Sequence, residues 1–103
     1  MKKDLSKELK KQVLKARKMQ EERYRGTSYF FNADLETKDI PAYCFLGEEE
    51  KKFMENVFHS LQLSARAYHR TLKVARTIAD LAESEQIRKE HLTEAVCYRG
   101  FER

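Results

Sequence analysis

The stretch LQLSARAYHRTLKVARTIADLAE, residues 61–83, places Arg66 within the first turn after Ser64. Ser64 is a good helix N-cap, so this turn is the positive end of a helix. An exposed cation there opposes the macrodipole at a cost of ~0.3–1 kcal/mol. The free backbone N–H groups of a first turn favour an anion instead. Arg66 beside those N–H groups would make half of a phosphate site, because its planar fork can give two hydrogen bonds to a phosphate. Arg70 lies one turn further on the same face and would assist. On the residues alone, the plainer reading is a solvated arginine in a tolerated place. Arg76 is turned about 80° from Arg66 at ~100° per residue, which suits a structural ion pair.

Other chemistry is sparse. There is no GxxxxGK[ST], no GxGxxG and no HExxH. His59, His69 and His91 lack the spacing of a metal site on one helix and read as surface or half-buried residues. Cys44 and Cys97 form no CxxC pair and read as core thiols, which fits a reducing compartment. No apolar run approaches the ~20 residues of a membrane span, so no membrane partner and a cytoplasmic location are expected.

The elements that must position these residues follow from apolar spacing. Residues 5–24 read as a first helix, capped by Asp4, with Leu5, Leu9, Val13, Ala16, Gln20 and Tyr24 on one face. A loop follows over 25–36, whose Tyr29, Phe30, Phe31 and Leu35 should pack down on the bundle. A short helix over 37–45 tolerates Pro41 only in its first turn. Helix 48–61 opens on three glutamates, which suit the positive end of its dipole, and buries Phe53, Val57, Phe58 and Leu61. Helix 65–83 buries Tyr68, Leu72, Ala75, Ala79 and Ala82, flanked by Ala67, Val74, Ile78 and Leu81. Its opposite side carries Arg66, Arg70 and Lys73 in a row. Helix 88–99 buries Leu92, Ala95 and Val96, with Arg99 on the same face needing a carboxylate or an exit to solvent. The fold class is all-α, a single small bundle of four main helices over 1–103.

Composition agrees with that class. In 103 residues, three Gly and one Pro leave little material for β-turns, while 41% hydrophobic content excludes a disordered chain. The net charge of +4 is unevenly spread. Residues 1–25 hold ten Lys/Arg against four Asp/Glu, whereas the remainder holds eleven against thirteen. The basicity belongs to the first helix, which would be solvated or would face something anionic.

The block LSARAYHRTLKVARTIADL followed by IRKEHLTEAVCYR resembles the C-terminal region of Mg-chelatase-like AAA+ ATPases, of the competence-associated ComM/YifB type rather than the authentic chelatase subunit. Val13, Ala16, Arg17, Gln20, Arg23 and Tyr24, then FNADL at 31–35, then Cys44, agree in order. The similarity runs from about residue 5 to the end. It implies the helical lid that follows a nucleotide-binding core, with Arg66 as the sensor-2 arginine reaching toward the γ-phosphate and Ser64 and Arg70 beside it. ATP and Mg²⁺ would be held by the upstream core of the same chain, in a homo-oligomeric ring, a hexamer, whose neighbouring subunits contribute. P-loop, Mg²⁺-binding acids, sensor 1 and arginine finger would all lie upstream. Residues 1–103 alone would then hold no cofactor and no metal and would not hydrolyse ATP. The family also implies a DNA-processing motor in recombination during natural transformation, with DNA as a partner of the whole ring. Two readings compete: a basic helical module that binds nucleic acid directly through residues 2–25, and a purely structural partner-binding bundle.

Overall fold

The structure, a computed structural model, describes residues 2–99, with side chains from Ser6 to Tyr98. It is all-helical among those residues. α1 spans Lys2–Arg23, the short α2 Ile40–Tyr43, α3 Glu48–Ser60, α4 Ala65–Leu81 and α5 Lys89–Arg99. Single 3-10 turns, Asn32–Asp34 and Thr37–Asp39, lead into α2. Pro41 sits in the first turn of α2, where its missing N–H costs nothing. α1 begins at Lys2, so Asp4 stands inside the helix rather than capping it. The side chains of Asp4, Leu5 and Arg99 lie outside the described residues.

α4 is the axis of the fold. It packs against α1, the first 3-10 turn, α2 and α5, while α3 lies against α5. The reason is in its sequence. Leu72, Ala75 and Ala79 are buried together with Leu92 and Ala95 of α5, and alanine at facing positions lets two helix backbones approach closely. Tyr24, Leu35, Ile40, Cys44 and Met54 complete the core around that seam.

Several helix ends are closed locally. The Ser64 hydroxyl oxygen accepts from the Ala67 N–H at 3.1 Å, as an N-cap should. Gly47 caps α3, and Glu48, Glu49 and Glu50 occupy its first turn. His91, in the first turn of α5, reaches back: its Nδ1 accepts from the Arg88 N–H at 2.9 Å, half of a capping box. That bond puts the ring proton of neutral His91 on Nε2, and it gives this buried histidine a structural task. At the ends of α3 and α4, Gln62 and Glu83 take left-handed φ of 50° and 56°. The next N–H groups, of Leu63 and Ser84, then close back on Phe58 and Ala79 carbonyls.

Several expected core residues are not core. Phe30 and Phe31 are exposed, 72% and 45%, while their neighbours Tyr29 and Leu35 turn inward. The cause is the 3-10 turn. Asp34 accepts from the N–H groups of both phenylalanines and fixes their backbone, so Leu35 enters the core and the phenylalanines leave it. α3 ends at Ser60, so Leu61 swings out, and Met54 and Leu63 are the buried residues instead. Ala82 follows the last turn of α4 and is exposed. Cys44 is buried but Cys97 is exposed. Cys97 lies ~140° around α5 from Leu92 at ~100° per residue, off the buried face. On α1 and just past its end, Ala16, Gln20 and Tyr24 are buried, but Leu9 and Val13 in the same row are 55% and 49% exposed.

Candidate functional site

Two polar assemblies lie on α4, one at each end. The N-terminal one is open to solvent. Arg66 and Arg70 are exposed there, and the first turn contains no acid. With Lys73 and half-buried His69 they line one side of an open groove of about 1110 Å³. Its floor includes Ile40, Val74 and Ile78, and α5 contributes Glu94 and Tyr98 to the far side. Lys73 is held in place: its Nζ donates to the Ala33 carbonyl at 3.2 Å. Tyr68 and His69 meet edge to face at 5.8 Å, and Tyr68 meets Phe58 at 5.6 Å, which fixes the turn that carries Arg66.

The arrangement brings the three sequence-predicted residues to one helix end. Ser64 satisfies one first-turn N–H, and Arg66 and Arg70 share the groove beside it. Chemically this end can take one anionic group. The first-turn N–H groups and an arginine fork fit a terminal phosphate. A metal has no such fit: among the described residues no three His, Cys, Asp or Glu side chains come together.

The second assembly is buried and was not anticipated as a unit. Its hub is Asp80, 0% exposed. Arg23 reaches it from α1 through both terminal guanidinium nitrogens, Nη1 and Nη2, at 2.8 and 2.7 Å. Arg76, one turn before Asp80 on α4, forms an ion pair with the same carboxylate at 3.2 Å. Arg76 also donates to the carbonyls of Ser84 and Glu85 at 2.8 and 3.0 Å, tying down the chain beyond α4. Its Nε is buried without a partner.

Asn32 completes the knot. It donates to Asp80 and Thr77, accepts from Arg23 and Tyr24, and gives its backbone N–H to Gln20. Every polar group of this fully buried side chain is thus paired. The expected structural ion pair of Arg76 is present, and its partner is Asp80.

Electrostatics sharpen the contrast between the two arginines of the knot. The hydrogen bond to Asp80 holds the Arg23 pKa above its usual value. Burial outweighs the pull of Asp80 at Arg76 and lowers its pKa. Two cations on one carboxylate leave a net positive knot, so Asp80 is the member whose removal would strand a buried charge, that of Arg76. Burial also pushes the Tyr24 hydroxyl up to about 12 and the Cys44 thiol up to about 11.

The sequence contained one signal for this knot. Asp80 is a lone acid among Ala79, Ile78 and Leu81 on an otherwise apolar arc, four residues after an arginine. Such a residue must be paired if buried. Its partners on α1 and in the 3-10 turn could not be read from α4.

The sequence of this bundle has relatives. The sequence profile of the family described as magnesium chelatase, subunit ChlI C-terminal, matches residues 3–99. The chain belongs to that family. It is similar to the competence protein ComM of Haemophilus influenzae, with 43% identity over 100 residues, covering 97% of this chain and 19% of the relative. It is similar also to the uncharacterized protein YifB of Salmonella typhimurium, 42% over 95 residues, covering 92% of this chain and 18% of the relative. The YifB protein of Escherichia coli is 41% identical over the same length. The chain spans about a fifth of the length of these curated relatives. No helix among the described residues is long and apolar enough to cross a membrane.

Proposed function

We propose that the chain is the sensor-2 lid of a ComM-type, Mg-chelatase-like AAA+ ATPase. Arg66 reaches the γ-phosphate of ATP, and Ser64 and Arg70 shape the same helix end. ATP and Mg²⁺ are held by a preceding nucleotide-binding core of the same polypeptide. Subunits form a homo-oligomeric ring, a hexamer, that works on DNA in the cytoplasm during recombination and natural transformation. One observation carries this reading. Arg66 is exposed in the acid-free first turn of a Ser64-capped helix, where its charge opposes the helix dipole and stabilises nothing in the fold described.

The test is ATP turnover by the full-length protein carrying Arg66→Ala. Removing a donor that acts on transition-state charge costs about 10²–10³ in rate, so turnover should fall by at least that range. Unchanged turnover sinks the assignment.

A second reading has its own observation. Lys7, Lys10, Lys11, Arg17 and Lys18 are all exposed along α1, a cationic face that can lie along a phosphate backbone without reading sequence. It requires micromolar DNA binding by residues 1–103 that weakens steeply as salt rises.

A further inference from the structure

α1 outruns the body it packs on. Residues 6–15 are exposed throughout, and burial begins at Ala16. Lys15 already reaches the body through an ion pair with Glu83 at 3.5 Å, so the nine residues before it make a projection ~13 Å long. Ordinarily a surface helix turns its apolar side to its own core, yet here that side faces water. Leu9 and Val13 stand one turn apart, both about half exposed. Arg17 follows one turn later, also exposed. The row Leu9, Val13, Arg17 keeps i, i+4, i+8 spacing and covers ~12 Å of helix. The loop that carries exposed Phe31 meets the next turn of α1, where Asn32 gives its N–H to the Gln20 side chain.

The first-helix residues that carry the family resemblance divide sharply by burial. Ala16, Gln20 and Tyr24 are buried, and Arg23 is bound to Asp80. Val13 and Arg17 have no packing or ion-pair role among the described residues. An aliphatic pair, an exposed aromatic and an arginine in one patch is the composition of an interface centre.

We infer that Leu9, Val13, Arg17 and Phe31 form the surface on which the preceding part of the longer polypeptide docks. The docking surface offers an apolar depression for Leu9 and Val13 and a carboxylate for Arg17. Two observations favour this occupant. About four fifths of each relative's length lies outside the matched region, which supplies a covering surface tethered to the same chain. A second copy is disfavoured by charge, since two such helices side by side would bring together two segments with six excess positive charges each. A nucleic acid would take the lysines and leave Leu9 and Val13 wet. This inference rests on the lid reading only in assuming that a preceding core exists.

Hydrogen exchange in the full-length protein tests it. The amides of residues 9–17 should exchange at least tenfold more slowly there than in residues 1–103 alone. Val13→Asp and Arg17→Glu in the full-length protein should each remove that protection, and Arg66→Ala should leave it intact. Equal exchange in the two proteins overturns the inference. So does protection of residues 1–103 that appears on raising its own concentration, or only on adding a DNA duplex. Turnover of the Arg66→Ala protein is read separately, so loss of turnover with an unprotected α1 leaves the lid reading standing and removes the docking surface alone.

Discussion

Arg23 and Asp80, 57 residues apart in sequence, meet in a two-pronged ion pair of 2.7 and 2.8 Å with the carboxylate fully buried. The pair joins the first helix to the end of the helix whose other end carries Arg66. It thereby fixes the angle at which α1 leaves the bundle.

Breaking one member of that pair should be costly. Arg23→Ala leaves Asp80 with Arg76 alone and empties a bidentate contact. Asp80→Ala strands Arg76, which is 5% exposed. Removing one partner of a buried pair so that the other is left uncompensated typically costs ~3–5 kcal/mol, so Asp80→Ala in residues 1–103 should lose about that much stability in urea denaturation, and Arg23→Ala, which leaves Asp80 paired with Arg76, should lose less. A loss below ~1 kcal/mol for both would show that the knot contributes little.

Alkali should weaken the fold in a defined window. Tyr24 and Cys44 both hold their protons more tightly folded than unfolded, with pKa pushed to about 12 and about 11 from 10.0 and 9.0. The folded state therefore binds more protons than the unfolded chain above pH 9, and stability falls as pH rises. The Cys44 contribution is complete below pH 9 and lost on rising through about 11; that of Tyr24 is complete below 10 and lost on rising through about 12. Denaturation free energy measured from pH 8 to 11 should decline, and Cys44→Ala should flatten the first part of that decline. A flat profile in the parent chain would contradict the burial of both groups.

At the head of α4, stability and the proposed role should pull apart. Ser64→Ala removes a cap and should cost residues 1–103 about 1 kcal/mol. Arg66→Glu relieves the clash with the dipole and should stabilise it by ~0.3–1 kcal/mol at low salt, with the gain fading as salt rises. Thermal melts at two ionic strengths check both. Destabilisation by Arg66→Glu would mean that Arg66 holds the fold together.

How far the sequence revealed all this varies by element. The heart of α4 and the α4–α5 seam were legible, because Ser64 marks the start and the apolar positions repeat at helical spacing. The position of Arg66 was legible for the same reason: once the cap is placed, Arg66 falls in the first turn. The knot was not legible as a unit. Arg23, Asn32 and Asp80 belong to three elements, and periodicity within one helix says nothing about which other helix supplies a partner. The exposure of Leu9 and Val13 was hidden by the same limit. Their phase matches that of Ala16 and Tyr24, so spacing assigns all four to one face, and only the length of the body beneath decides which are covered. Phe30 and Phe31 were misplaced because apolar content predicts burial but a capped 3-10 turn sets direction.

In the proposed role, Arg66 acts on a phosphate that the rest of the polypeptide holds. The most direct measurement is the ATP turnover number of the full-length protein with arginine, lysine or alanine at position 66, under saturating ATP. The predicted order is arginine above lysine above alanine, with alanine down by about 10²-fold or more, because lysine keeps the charge and loses the fork. Melting curves of residues 1–103 should stay within about 0.5 kcal/mol across the Arg66→Lys change. An alanine variant that turns over ATP as fast as the parent would contradict the account.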